Sequence, residues 1–232
     1  MNKPEGFKLS LVKDQYFVIF NPEDIIQSFW INEDYYEQDM LEFIEKNYKG
    51  HIFIDCGASV GNHSLFFSKI ADKVISFEPS QEPYFYFNLN KYINKIENID
   101  TYNLCLGDEI KFVDLYVDNL SCGGASLKKI NNEPTLKKIE KIFMTKLDEF
   151  NLSNVILIKI DVEGSELKVL KGAIETIKNN KPDLFIECAT EEDFNEIFNY
   201  IISLDLGYEV YQKVFNNTPT FLFSTDIKRL KE

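Results

Sequence analysis

Residues 51–65, HIFIDCGASVGNHSL, followed by VISFEPS at 74–80, constrain the fold more than any other stretch of this chain. Ile52, Phe53 and Ile54 form a short apolar run of the kind a doubly covered parallel strand requires. Asp55 ends that strand. Gly57 and Gly61 allow a tight turn with close backbone approach, and a helix is expected over 62–71. A second apolar strand, 73–77, ends at Glu78. An acid at that point is where doubly wound folds hold a ribose diol. The segment therefore predicts an α/β crossover built around a nucleoside.

The glycine spacing narrows the nucleoside. A dinucleotide site uses G-x-G-x-x-G, which seats a pyrophosphate on a helix N-terminus. Here the spacing is D-x-G-x-x-x-G, with a carboxylate beside the turn. Asp55 would repel a pyrophosphate and suit a ligand bearing ammonium or sulfonium charge. S-adenosylmethionine has a ribose, an adenine, an amino-acid end and a positive sulfur, and no phosphate. It is favoured over NAD and ATP.

Further segments carry a resemblance. DCGASVGNHSL, FEPSQEPYFYFNLN, MTKLDEF and IKIDVEGSELKVLKGA, with YYEQDMLEF ahead of the first strand and GGASL in the middle, resemble the FkbM-type S-adenosylmethionine-dependent methyltransferases in the right order over residues 33–190. Cys56 departs from the β-branched or small residue common there. The resemblance implies a Rossmann-like class I methyltransferase: a seven-stranded, mostly parallel sheet closed by a C-terminal antiparallel hairpin, with a small N-terminal strand and helix extension. It implies cofactor contacts from Glu37, Asp55, Gly57, Ser59, Gly61, Asn62, Glu78 and Pro79. Asp108, in LGDE after the third strand, is the candidate for the adenine amino group.

One domain is expected over 1–232, with 1–50 as the extension and 51–232 as the catalytic core. At 232 residues the chain can bury a large core without splitting. Its net charge of −13 argues against a nucleic-acid substrate, which calls for clustered Lys and Arg. No apolar stretch approaches a membrane span, and MNKPEGFKLSLVKD has no signal-peptide h-region. Cys56, Cys105, Cys122 and Cys188 lack metal-ligand spacing, and a reducing cytoplasm is the expected location. Oligomeric state is left open.

Element order supports the fold. Two short strands are expected over 7–20, and a helix over 34–48 with Tyr36, Met40, Phe43 and Ile44 on one face. Beyond the crossover come a helix at 81–95, a strand near 99–105 and an antiparallel addition at 110–117. A buried strand at 155–161, a helix over 164–179, the strand DLFIEC, a helix from EEDFNEIFNYIISL and a closing pair from GYEVYQKV and TPTFLFST complete the chain.

The second chemical centre is IKIDVEGSE, 159–166. Lys159 and Asp161 share a strand face, and Asp161 stands at the carboxyl end, where ligands bind in open α/β sheets. Glu163 follows on a turn that Gly164 permits; Glu166 is expected to support the next helix. Methyl transfer to a hydroxyl requires alignment and removal of a proton. Asp161, Glu163 and His63 are the candidate bases, with Lys159 beside them, and His63 sits at a helix start that favours its neutral form. A divalent ion held by Asp161 and Glu187 is a second possible route.

The acceptor is expected to be a small molecule, a sugar or nucleotide sugar in glycan or secondary-metabolite biosynthesis, an assignment the resemblance alone supplies. Aromatic residues Phe29, Trp30, Tyr35 and Tyr36 could form its platform. The lysine-rich stretch 119–141, with Lys128, Lys129, Lys137, Lys138 and Lys141, reads either as a solvated loop or as a lid over a phosphorylated acceptor. The rival readings are an NAD-type Rossmann oxidoreductase and a non-catalytic nucleoside-binding protein.

Overall fold

The structure is a computed structural model that describes residues 7–118, 125–127 and 136–231. The chain opens with a hairpin of β1 (Lys8–Val12) and β2 (Gln15–Ile19), then α1 (Ile25–Ile31) and α2 (Gln38–Asn47). Its core alternates β3 (Ile52–Cys56), α3 (Asn62–Phe67), β4 (Lys73–Phe77), α4 (Gln81–Ile93) and β5 (Ile99–Tyr102). Next come the short β6 (Cys105–Leu106), β7 (Lys111–Asp118), β8 (Ala125–Ser126) and β9 (Leu136–Thr145). The chain ends with β10 (Val155–Ile160), α5 (Glu166–Lys171), α6 (Ile174–Asn180), β11 (Asp183–Glu187), α7 (Glu191–Ser203), β12 (Glu209–Phe215) and β13 (Thr220–Ser224).

The main sheet has seven strands in the order β12-β13-β11-β10-β3-β4-β5. The five strands from β11 to β5 pair in parallel, and β13 enters antiparallel between β12 and β11. The expected class I methyltransferase architecture is present. The strand order reverses between β3 and β10, so their carboxyl ends open a crevice there. Phe53, Ile54, Leu157, Ile158, Leu184 and Phe185 are wholly buried, as doubly covered strands require.

The extension packs into the core. Phe17 and Trp30 lie with ring centroids 4.4 Å apart and share an apolar cluster with Phe53, Phe67 and Phe87. The N-terminal helical region differs from expectation. Helix α2 starts at Gln38, after Glu37 adopts a left-handed conformation, so Tyr36 precedes the helix. A separate helix, α1, begins where Asp24 accepts a hydrogen bond from the Gln27 amide.

A second sheet, β6-β9-β7-β8, stands apart from the main one. The strand expected near 99–105 is divided between the two sheets as β5 and β6, and β7 pairs with β9 rather than extending the main sheet. Leu115, Ile142 and Met144 face inward, while Phe112, Ile139 and Lys141 face solvent. Residues 136–141 are therefore strand, not loop. Lys128, Lys129 and Cys122 lie outside the described residues, and so does most of the proposed lid.

The helix expected over 164–179 is two helices. A Cβ on Gly172 would lie 1.9 Å from the Gly107 carbonyl oxygen, so this crossing requires glycine and the helix breaks around it.

Candidate active site

The carboxyl ends of β3, β4, β10 and β11 enclose a cavity of about 350 Å³, within the range of small-ligand pockets. Its polar floor includes Glu78, Lys159, Asp161, Glu163 and Glu187; Leu104, Leu115 and Leu127 form an apolar wall.

The glycine turn is fixed to its neighbours. The amides of Gly57 and Ala58 donate to the Phe77 carbonyl at 3.0 and 2.9 Å, and the Gly61 amide donates to the Ala58 carbonyl. The Ser59 amide donates to Glu78 Oε2 at 2.8 Å, and Ser80 donates to Oε1 at 2.7 Å. Four amides of the turn are thus engaged within the protein, whereas a pyrophosphate site must offer such groups to its ligand. Gly57 serves the protein as well: a Cβ there would stand 1.7 Å from the Asp161 carbonyl oxygen.

Glu78 is buried yet lines the cavity. Burial pushes its carboxyl up to about 8 against the two amide hydrogen bonds, and the charges of Asp55 and Asp161 push the same way.

Parallel register sets Ser76, Asp55 and Lys159 side by side on three adjacent strands. Ser64 donates to Asp55 Oδ2 at 2.5 Å and contacts Ser76 Oγ at 2.8 Å. Lys159 Nζ lies 2.9 Å from Asp161 Oδ2 and 3.8 Å from Asp55 Oδ1. Burial disfavours the Lys159 charge, but Asp161, Asp55 and Glu37 outweigh it and hold the ammonium protonated. Lys159 is a fixed cation here and no base. Asp55 corrects the expectation of direct cofactor contact: it is fully buried beneath the turn and does not line the cavity.

Asp161 and Glu187 are hydrogen-bonded carboxyl to carboxyl. Burial alone would raise Asp161; the Lys159 ammonium, its hydrogen bond and the bond from Glu187 hold it below the usual carboxylate range. Burial, then the Asp161 charge, pushes Glu187 up to about 9. The Lys159 ammonium thus favours charge on Asp161, and the Asp161 charge in turn disfavours charge on Glu187. Glu163, left-handed at φ 55°, stands at the mouth, where partial enclosure and the Asp161 charge push it up to about 7.

The remaining predicted residues divide. Asn62, His63, Ser59 and Pro79 line the cavity. Asn62 Oδ1 accepts from Trp30 Nε1 at 3.0 Å and from the Tyr36 amide at 3.1 Å, which clamps the extension onto the turn. His63 Nε2 lies 2.9 Å from Glu37 Oε2 as an ion-pair contact without hydrogen-bond alignment. Glu37 and Gly61 stand behind the lining, and Gly61 is needed because a Cβ would lie 2.3 Å from Phe87. Asp108 faces a different depression with Glu109, Lys111 and Lys168, because the chain turns away where Gly107 meets Thr145. Among the aromatics, Trp30 and Tyr35 are core residues and only Tyr36 reaches the cavity. Ser165 and Thr218 also line it, and neither stood out in the sequence.

The match that decides the family spans residues 55–210, which fit the model of the methyltransferase FkbM domain. The chain belongs to the FkbM methyltransferase family. It is an S-adenosylmethionine-dependent methyltransferase of FkbM type. Methyltransferase 1 of Beauveria bassiana (strain ARSEF 2860) is 22% identical over 207 residues, covering 78% of this chain and 82% of that protein. The FkbM methyltransferase of Methylobacillus flagellatus KT superposes with a TM-score of 0.57 at 24% identity, over 75% of this chain. This chain spans 43% of that protein's length. Trm5b of Pyrococcus abyssi shares the fold, with a TM-score of 0.52 at 13% identity over 96% of this chain and 56% of its own. Among the described residues, no helix is long and apolar enough to cross a membrane. Nor do those residues contain a group of three His, Cys, Asp or Glu side chains placed to hold a metal ion.

Replacing the FkbM-type chain's Lys159 with Met should remove the counter-charge of two buried carboxylates. Breaking such a pair costs roughly 3–5 kcal/mol. Asp161 should then titrate higher, having lost the ammonium that holds it down. The acid limb of the rate–pH profile moves up accordingly, and an unmoved limb would detach Lys159 from Asp161.

Proposed function

We propose that this chain is an O-methyltransferase whose acceptor is a sugar hydroxyl, free or within a nucleotide sugar, in glycan or secondary-metabolite biosynthesis. The observation that carries methyl transfer to a hydroxyl is Asp161 on the cavity floor beside Glu187, its Oδ2 2.9 Å from Lys159 Nζ; the sugar class follows the family resemblance. The extension 1–50 and the core 51–232 act as one unit in this reading, supported by their common apolar cluster. A reducing cytoplasm is supported by the buried free thiols Cys56, Cys105 and Cys188.

The cavity fits S-adenosylmethionine on its own chemistry. Glu78 offers a carboxylate to a ribose diol, Leu104 and Leu106 offer an apolar seat for a base, and the engaged turn amides leave no phosphate cradle. Gly57, Ser59, Asn62 and Pro79 would complete the cofactor half. The bound group supplies an electrophilic methyl on a sulfonium. Asp161 accepts the hydrogen bond of the acceptor hydroxyl and orients its oxygen. Lys159 keeps Asp161 ionised, and Glu163, poised near neutrality, takes up the released proton. His63, paired with Glu37, positions the neighbouring wall. No metal is invoked: the Lys159 ammonium already supplies the cation beside Asp161.

Ribose hydroxyls donate to Glu78 best when it is ionised. Calorimetric affinity for S-adenosylhomocysteine should therefore fall as pH drops below about 8, up to roughly tenfold per unit, and level off above it. Glu78→Gln should flatten this dependence. A wild-type profile flat from pH 6 to 9 would remove Glu78 from the ribose role. Turnover with a panel of sugars and nucleotide sugars tests the acceptor class; methylation of none of them, with cofactor bound, rejects it.

A further inference from the structure

The two ends of the cavity differ in charge. Glu78 ends β4, while Glu187 ends β11, three strands away and about 14 Å at ordinary strand spacing. The end over β10 and β11 is lined by Asp161, Glu163, Glu187, Ala189 and Thr218. Lys159 is the one permanent cation among the described lining residues, and it is engaged between Asp55 and Asp161. Three carboxyls therefore face an end of the cavity with no free counter-charge among the described residues. Enclosure and then the Asp161 charge disfavour ionisation of both Glu187 and Glu163 there.

One polar side chain of the same cavity points to a ligand: Ser165 is 5% exposed and its hydroxyl has no hydrogen-bond partner.

Resting on the methyltransferase reading above, we propose that the acceptor is a hydroxylated amine, and that Glu163 and Glu187 receive its ammonium beside the hydroxyl held by Asp161. An entering ammonium supplies the missing positive charge, and the proton shared by Glu187 and Asp161 leaves to solvent. A phosphate or carboxylate at the same place would meet Asp161 and Glu163 without a free cation among the described residues. Any phosphate of the acceptor must lie outside this end of the cavity. An amino sugar meets these demands: it presents a ring hydroxyl and an ammonium on adjacent carbons.

The test is calorimetric titration of the full chain, saturated with S-adenosylhomocysteine, by glucosamine, glucose and glucose 6-phosphate. Glucosamine should bind about tenfold or more tightly than glucose, the gain of one charge-assisted hydrogen bond, and glucose 6-phosphate more weakly than glucose. Glu163→Gln and Glu187→Gln should shrink the preference for the amine to within about twofold, with affinity for S-adenosylhomocysteine held within about threefold. Equal binding of amine and neutral sugar overturns the proposal. So do tightest binding of the phosphate, absence of amine binding, and a preference that survives both substitutions. Failure of S-adenosylhomocysteine itself to bind would instead overturn the cofactor reading on which the proposal rests.

Discussion

Asp161→Asn should lower kcat by about 10²-fold or more, the usual cost of misplacing a reacting group, and leave S-adenosylhomocysteine affinity within a few-fold of wild type. Asparagine keeps the shape but not the charge. It presents an amide nitrogen or a weak carbonyl acceptor where the hydroxyl needs a carboxylate. Lys159, 2% exposed, loses its closest partner and keeps only Asp55 at 3.8 Å. Glu187 loses the neighbour that raises it and should ionise at lower pH, so the variant's pH profile changes shape as well as height. Steady-state kinetics and calorimetry on one preparation separate these effects. Unchanged turnover would make Asp161 a structural residue.

Gly57→Ala should abolish the site by geometry. The turn sits at φ 86°, and the new Cβ would stand 1.7 Å from the Asp161 carbonyl oxygen, on backbone that cannot swing aside. The Asp161 amide donates to the Cys56 carbonyl at 3.0 Å, so the two strand ends are already locked together. Separating them displaces the cofactor turn and Asp161 at once. A loss of about 3 kcal/mol lowers Tm by roughly 6–12 °C for a chain of this size, and S-adenosylhomocysteine binding should fall at least tenfold. Gly207→Ala is the control. Its φ is 82°, but nothing lies within 4 Å, so it reports conformational strain alone, about 1 kcal/mol. Equal Tm changes in the two variants would refute the collision.

The parts of this molecule legible in its sequence are those whose signal is local. The run Ile52–Asp55, the glycine turn and Glu78 lie within 27 positions of one another, and a parallel crossover admits few alternatives there. Asp161 was legible because a strand end is a position in the fold as well as in the chain. Strand β9 was not. Its lysines resemble a solvated loop, and its inward face of Glu140, Ile142 and Met144 has meaning only once β7 is alongside. The helix break at Gly172 depends on Gly107, 65 positions earlier. Asp55 does not line the cavity as its place beside the turn suggested, because the register with Lys159 and the bond from Ser64 turn it inward. Asp108 failed for the same reason: a carboxylate after a strand faces whichever way the next turn sends it.

Glu78 should hold the ribose of a phosphate-free adenosine cofactor in this cavity. Calorimetric titration of S-adenosylhomocysteine and of NAD into wild type and Glu78→Ala tests it most directly. S-adenosylhomocysteine should bind saturably and one-to-one, weakened roughly ten- to a hundredfold or more in Glu78→Ala, with no binding of NAD to either protein. Unchanged affinity in a folded Glu78→Ala variant, or NAD competing for the site, would contradict it.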